Sequence, residues 1–348
     1  MRILLVNSGY FLKVLFVIVN LAFSIELFAK SVVLIQSYPD GVWTKGIVNG
    51  ATETLQKFSS NFNIINYVYD SEILRHKDFK EQEKVVTEIL NKIKQVNPSY
   101  IILNDDEAVE KFINKLDPKL NIIINGINDV PENIPGVKKE KLNSLCGIIE
   151  DFPIEQSIRM ITLMSSKIKQ MSVISSNNIS SQIVARKFEK LQKDKTQKIK
   201  LRKIYLSDSW EEWKIALMKI NKVDDLTWIL VPYEIKNKKN INMSLIDIAK
   251  WVRKNVRIPI LGILSINTKM GFLSAISIDP YGLGRQAAEV VIRMEQSETC
   301  SKIGFEKYKY LNFEINKDEV RRLGLKVPSE FMGIARFIED KDLILGER

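Results

Sequence analysis

Asp105 and Asp106 are the residues whose type and spacing most clearly suggest chemistry. They follow the apolar run Ile101-Ile102-Leu103, with Asn104 between. A carboxylate pair at such a place has two uses. It receives an ammonium or guanidinium group through charge-assisted hydrogen bonds, or one member caps a helix starting near Glu107 while the other is solvated. Glu150 ends a second short apolar run, Leu145–Ile149. It reads either as a ligand contact or as a hinge group. With Asp105 it forms the kind of carboxylate pair that glycosidic acid–base chemistry uses, a nonspecific feature. Tyr38 and Trp43 flank the loop after Val32–Ile35. They suit stacking on a planar ligand or covering a sheet edge. Asn128 offers both donor and acceptor, and equally suits a turn. Asn177 and Tyr233 follow later apolar runs and are candidates for an opposing wall.

Other chemistries find little support. His76 is the one histidine, set in a polar loop, and no nucleophile elbow accompanies it. No catalytic residue and no enzyme activity is expected. Cys146 and Cys300 are too few for a metal site; they are bridged or are two buried thiols. Neither a dinucleotide fingerprint nor a Walker sequence occurs. No cofactor and no metal is therefore expected.

The elements that must carry these residues alternate. Apolar runs at Val32–Ile35, Asn63–Tyr69, Ile101–Leu103 and Leu120–Ile124 read as strands. Helical periodicity between them covers Trp43–Phe58, Phe79–Val96 and Glu107–Leu116. Strand–helix–strand units of this length imply right-handed crossovers and a parallel sheet. Ligands collect at the carboxyl ends of such strands, which is where Tyr38, Asp105 and Asn128 fall. After a loop at 128–141 the alternation restarts, with strands near Met171–Ile174, Ile199–Leu206, Thr227–Val231 and Ile258–Leu261. A late strand at Leu273–Ile278, a helix near Leu283–Gln296 and a last strand at Tyr308–Ile315 follow. The expected architecture is α/β, with two Rossmann-like lobes, parallel-sheet cores and three crossings. The lobes comprise 30–146 plus 272–298 and 147–271 plus 299–330, with a helix or tail over 331–348. Hinges are expected near 146–150, 263–271 and 298–306, and a ligand would be enclosed between the lobes.

The chain has 348 residues, enough for two domains, and a net charge of +10. Its lysines are scattered, and it lacks zinc-finger spacing, an RNP-like strand and a DNA-reading helix, so no nucleic-acid partner is expected. Residues 1–29 read as a secretory signal peptide: basic Arg2 and Lys13, apolar Val14–Ile25, then Leu27-Phe28-Ala29. An uncleaved anchor is the alternative. Neither cysteine lies close enough to the apolar segment for lipid attachment. A periplasmic location follows.

The residues also resemble a known family. Val33-Leu34-Ile35-Gln36-Ser37-Tyr38, Trp43, Gly46-Ile47-Val48 and Gly50 resemble the start of the ABC transporter substrate-binding protein family with type I periplasmic-binding fold. They are closest to its branch used as extracytoplasmic sensor domains of histidine kinases. Ile101–Ala108, Ile123–Asn128, Gly147–Glu150, Gly282–Ala288 and Leu323–Pro328 resemble later motifs in the same order. The resemblance covers Val32 to Pro328. It implies a two-lobed solute-binding protein with a small-molecule ligand, a membrane permease partner, or alternatively a membrane sensor kinase. It carries Tyr38, Trp43, Asp105, Asp106, Asn128, Glu150 and Tyr281 into the cleft. The loop after Tyr38 is shorter than usual in the sensor branch, and Asn177-Asn178 replaces an Asp-containing turn. Ligand identity does not transfer; the acidic pair and aromatics point to an amine-bearing or aromatic compound.

Overall fold

The computed structural model describes residues 29–133, 137–138, 142, 144–193 and 196–344. The proposed signal segment therefore lies outside the described residues, except for Ala29. Among the described residues, no helix is long and apolar enough to cross a membrane.

The first half builds β1 (Lys30–Gln36), α1 (Val42–Phe58), β2 (Phe62–Val68), α2 (Ser71–Leu74) and α3 (Phe79–Val96). It continues with β3 (Tyr100–Asn104), α4 (Asp105–Phe112), β4 (Asn121–Ile127) and β5 (Cys146–Ile149). The second half builds α5 (Ile154–Met164), β6 (Gln170–Ser175), α6 (Ile179–Leu191), β7 (Lys200–Leu206) and α7 (Trp210–Val223). Then come β8 (Leu226–Ile229), α8 (Leu245–Asn255), β9 (Ile260–Leu264), α9 (Ser265–Lys269) and β10 (Ser274–Ile278). The chain ends through α10 (Pro280–Glu295), α11 (Cys300–Ile303), β11 (Phe305–Lys307), β12 (Leu311–Asn316), α12 (Lys317–Arg322) and β13 (Arg336–Ile338).

Two sheets result. The first has the order β11-β5-β4-β3-β1-β2 and the second β13-β12-β10-β9-β8-β6-β7. The first is parallel throughout; in the second, β12 runs antiparallel to β10. The central strands are apolar on both sides because helices cover both faces. Val32, Leu34, Ile102 and Ile123 pack toward one side, while Val33, Ile35, Ile101 and Ile124 pack toward the other. The fold class agrees with the expectation from sequence.

Sheet membership differs from the expected lobe ranges in three places. β10 pairs in the second sheet, whereas the sequence reading grouped 272–278 with the first lobe. β5 and β11 pair with each other in the first sheet, whereas residues 147–149 and 305–307 were grouped with the second. The segment read as a helix or tail supplies β13, a strand parallel to β12 in the second sheet. Strands as short as β5, β10, β11 and β13 carry little periodicity, so pairing partners alone decide where they belong. The three crossings accordingly run from β5 to α5, from β10 to α10, and from β11 to β12.

Cys146 and Cys300 are bridged, with Cα atoms 4.9 Å apart. The bridge joins β5 to α11 within the first lobe, beside two of the crossings.

Candidate functional site

The carboxyl end of the first sheet carries a row of polar side chains. β1 ends at Gln36, β3 at Asn104, and Asn125 lies next to Asn104 on β4. Gln36 Nε2 donates to Asn66 Oδ1 at 3.1 Å, Asn104 Nδ2 to Ile35 O at 3.3 Å, and Asn125 Nδ2 to Asn104 Oδ1 at 2.8 Å. All three amides are fully buried.

The two aspartates follow directly and have different surroundings. Neither caps α4. Instead Ser37 Oγ, from the loop after β1, accepts the Ala108 N–H at 2.9 Å and donates to Asn104 O at 2.7 Å. A helix terminus needs a nearby acceptor, not one of its own residues. Asp106 is fully occupied. Its Oδ1 accepts the Asn128 N–H at 3.1 Å, and its Oδ2 accepts Asn128 Nδ2 at 2.6 Å. Oδ2 also accepts Ser180 Oγ at 2.9 Å, from the first turn of α6 in the other lobe. Asn178 caps α6 through the Ser181 N–H, so Asp106 sits where the helix dipole favours an anion. Asp105 has the left-handed φ of 69°. It is 5% exposed, and its Oδ2 has no hydrogen-bond partner. The Trp43 indole N–H lies beside it and favours its ionised form, yet Nε1 closes no hydrogen bond of its own.

Glu150 comes from the first crossing and is also buried, with Oε1 unpartnered. Burial, reinforced by Asp105 and Asp106, pushes its carboxyl well above the usual range, while Lys187 opposes the rise. Burial raises Asp105 in the same way, helped by Glu107 and Asp106. Asp106 is raised by burial against the pull of Asn128 and Ser180. The missed member is Glu107. It is buried, accepts the Tyr38 hydroxyl at 3.2 Å, and is pushed up to about 8 by burial and Asp106. Tyr38 also lies 3.4 Å from Ser180 Oγ, so it too touches the second lobe.

A second set of contacts spans the lobes nearby. Arg75, just after α2, pairs with Glu234 and with Asp208 at 3.5 Å. His76 Nε2 lies 3.0 Å from Lys236 Nζ. Glu234 follows β8 and is pushed up to about 7 by burial against the pull of Arg75. Tyr233 beside it is raised to about 12, by burial and then by Glu72 of the first lobe.

Tyr38, Trp43, Asp105, Asp106, Asn128 and Glu150 are thus gathered around one interlobe contact. Asn177 and Tyr281 are not. Asn177 is exposed and turned to its own lobe, donating its N–H to Asp208 and accepting Gln182 Nε2. Tyr281 lies at the start of α10, where its hydroxyl donates to Glu53 of α1 at 2.8 Å. Sequence reading missed Glu107, Ser180, Lys187, Arg75 and Glu234. The amide row had a legible signal: Gln36, Asn104 and Asn125 each end or nearly end an apolar strand. A surface depression of about 570 Å³ lies elsewhere, on the outer side of α7 around Ile215 and Met218.

The model of a family described as ABC transporter substrate binding protein matches residues 47–336. Among curated proteins, no match is found. Among solved structures, a conserved domain protein from Vibrio cholerae has TM-score 0.67 at 15% identity, covering 89% of this chain and 99% of that one. A domain from Streptococcus pneumonia in complex with L-Trp also has TM-score 0.67, at 14% identity, covering 88% and 99%. The TorS sensor domain–TorT complex gives TM-score 0.54 at 11% identity, covering 86% and 98%. At these identities the likeness is one of fold.

Proposed function

We propose, for a chain that belongs to the ABC transporter substrate binding protein family, that it works outside the cytoplasmic membrane as the solute receptor of an uptake system. It takes a small amine-bearing or aromatic ligand between its lobes and presents the closed form to a membrane permease. Export would depend on residues 1–29. The carrying observation is the contact at Ser180: Asp106 and Tyr38 reach it from the first lobe, beside buried polar groups that have no partner. Side chains from two lobes meeting over unpartnered polar atoms suit a cleft that closes on a polar guest. The buried carboxylates favour a guest with a positive group, and Trp43 and Tyr38 favour a flat one. The L-Trp complex among similar folds is consistent with such a guest.

The test is native mass spectrometry of the purified protein, then titration calorimetry with any compound found. Saturable binding without turnover supports the reading; turnover overthrows it. A sensing role is the second reading, favoured by likeness to the TorS–TorT complex. Co-purification with a sensor kinase rather than a permease would decide for it.

A further inference from the structure

We propose that Asp105 and Glu150, which converge on Gly126 with unpartnered oxygens, form a two-carboxylate subsite for one ammonium or guanidinium group of the ligand. The inference rests on the cleft-binding reading above and deepens it.

In the strand order β5-β4-β3-β1, each strand end presents one buried oxygen without a hydrogen-bond partner: Glu150 Oε1, Asn125 Oδ1, Asp105 Oδ2 and Gln36 Oε1. All four belong to residues at most 5% exposed. The one unpartnered donor beside them, Trp43 Nε1, lies next to Asp105 and can serve at most one of these oxygens. Buried polar atoms in folded proteins are nearly all paired, so each exception calls for a partner. Four acceptors against one donor complement a donor-rich group. An ammonium carries three donors and a guanidinium five, and neither accepts. A carboxylate or phosphate would meet four more acceptors.

Asp105 and Glu150 lie close together around Gly126. A side-chain carbon at Gly126 would stand 3.1 Å from Glu150 Oε1 and 3.8 Å from Asp105 Oδ1. Asp106 is excluded from the subsite, because Asn128 and Ser180 already fill both its oxygens.

Charge leads to the same place. Asp106 and Glu107 face the pair as further acids, Tyr38 and Tyr308 as phenols, and Lys187 as a cation. Lys187 is committed elsewhere: its Nζ donates to Glu150 O at 3.2 Å and lies 3.8 Å from Asp151. Without another cation, two neighbouring buried carboxyls cannot both ionise easily. A cation arriving between them supplies the missing charge, and the proton leaves for water. Affinity therefore rises with pH. Among the described residues, no group of three or more His, Cys, Asp or Glu is placed to hold a metal ion, which favours an organic cation.

The experiment is a thermal-shift titration of the full chain, Asp105→Asn and Glu150→Gln. The probes are tryptamine and agmatine as cations, indole-3-propionate as an anion, and calcium chloride. At least one organic cation should stabilise the wild-type protein, more at pH 8 than at pH 5. Each variant should bind that cation roughly 30-fold or more weakly. At pH 5, without probe, the variants should melt close to the wild type, because an amide then replaces a protonated carboxyl. Stabilisation by indole-3-propionate or calcium alone would keep the cleft reading and overturn the subsite. Equal binding of a cation by wild type and both variants would do the same. No shift with any probe would overturn both.

Discussion

Asp105 and Asp106 are chemically identical neighbours with opposite situations. One is saturated by partners from two lobes, and the other is buried with an unpartnered oxygen. Two predictions belong at this scale. Replacing Asp106 by Asn removes an acceptor that holds Ser180 and Asn128, and should weaken the interlobe contact by about 1–3 kcal/mol. The loss would be read as a larger radius of gyration in solution scattering. The second prediction concerns pH. Glu107 sits at about 8 in the folded chain against an ordinary 4.5. A carboxyl raised on folding stabilises the protein at low pH, where it is protonated in both states. That contribution is lost as pH climbs from about 4.5 to about 8. The melting temperature should therefore fall over this window, and Glu107→Gln should flatten the fall. A flat wild-type profile would refute the assignment.

At the scale of elements, the site depends on how closely α1 and α10 approach. A side-chain carbon at Gly50 would stand 2.0 Å from Tyr281 O, and one at Gly284 would stand 1.9 Å from Ile47 O. Trp43, near the start of α1, lies on the same helix beside Asp105. Gly50→Ala should push the helices apart and destabilise the fold by about 1–3 kcal/mol, as overpacking does, measurable by denaturant unfolding. The Cys146–Cys300 bridge acts on the crossings rather than on the cleft. It closes a loop of sequence separation 154 and ties β5 to α11, just ahead of β11. Reduction should lower stability by about 2–4 kcal/mol. Melting with and without reductant tests this, and binding should survive at temperatures where the reduced protein stays folded.

For the whole molecule, closure is held at two places: around Ser180, and where Arg75 pairs with Asp208 and Glu234. Arg75→Ala leaves the buried Glu234 carboxyl without its cation. Breaking one side of such a pair costs about 3–5 kcal/mol. Part of that cost falls on the closed form alone, so the variant should open, as a distance label across the lobes would report. Glu234→Gln in the same background should restore much of the closure, because the unpaired acid is gone.

The two α/β units, their alternation and the strand ends that carry polar residues are legible in the residue pattern alone. These features rest on local periodicity: apolar runs of strand length, helical spacing between them, and abrupt polar endings at Gln36, Asn104 and Asn125. Strand ends also put Tyr38, Asp105 and Asn128 on one side, because the strands of a parallel sheet end together, whereas Trp43 and Glu150 were brought to the cleft by the family resemblance. Tertiary structure alone decided which aspartate is unsatisfied. Asp106 finds Ser180 across 74 residues of chain, whereas Asp105 turns away on a left-handed backbone. Tertiary structure also decided that β10 leaves the first sheet, that β5 and β11 join it, and that the two cysteines are bridged. Hydrogen-bond satisfaction and strand pairing are properties of distant partners. A residue's type states what it can bond, and only the folded chain determines what comes within reach.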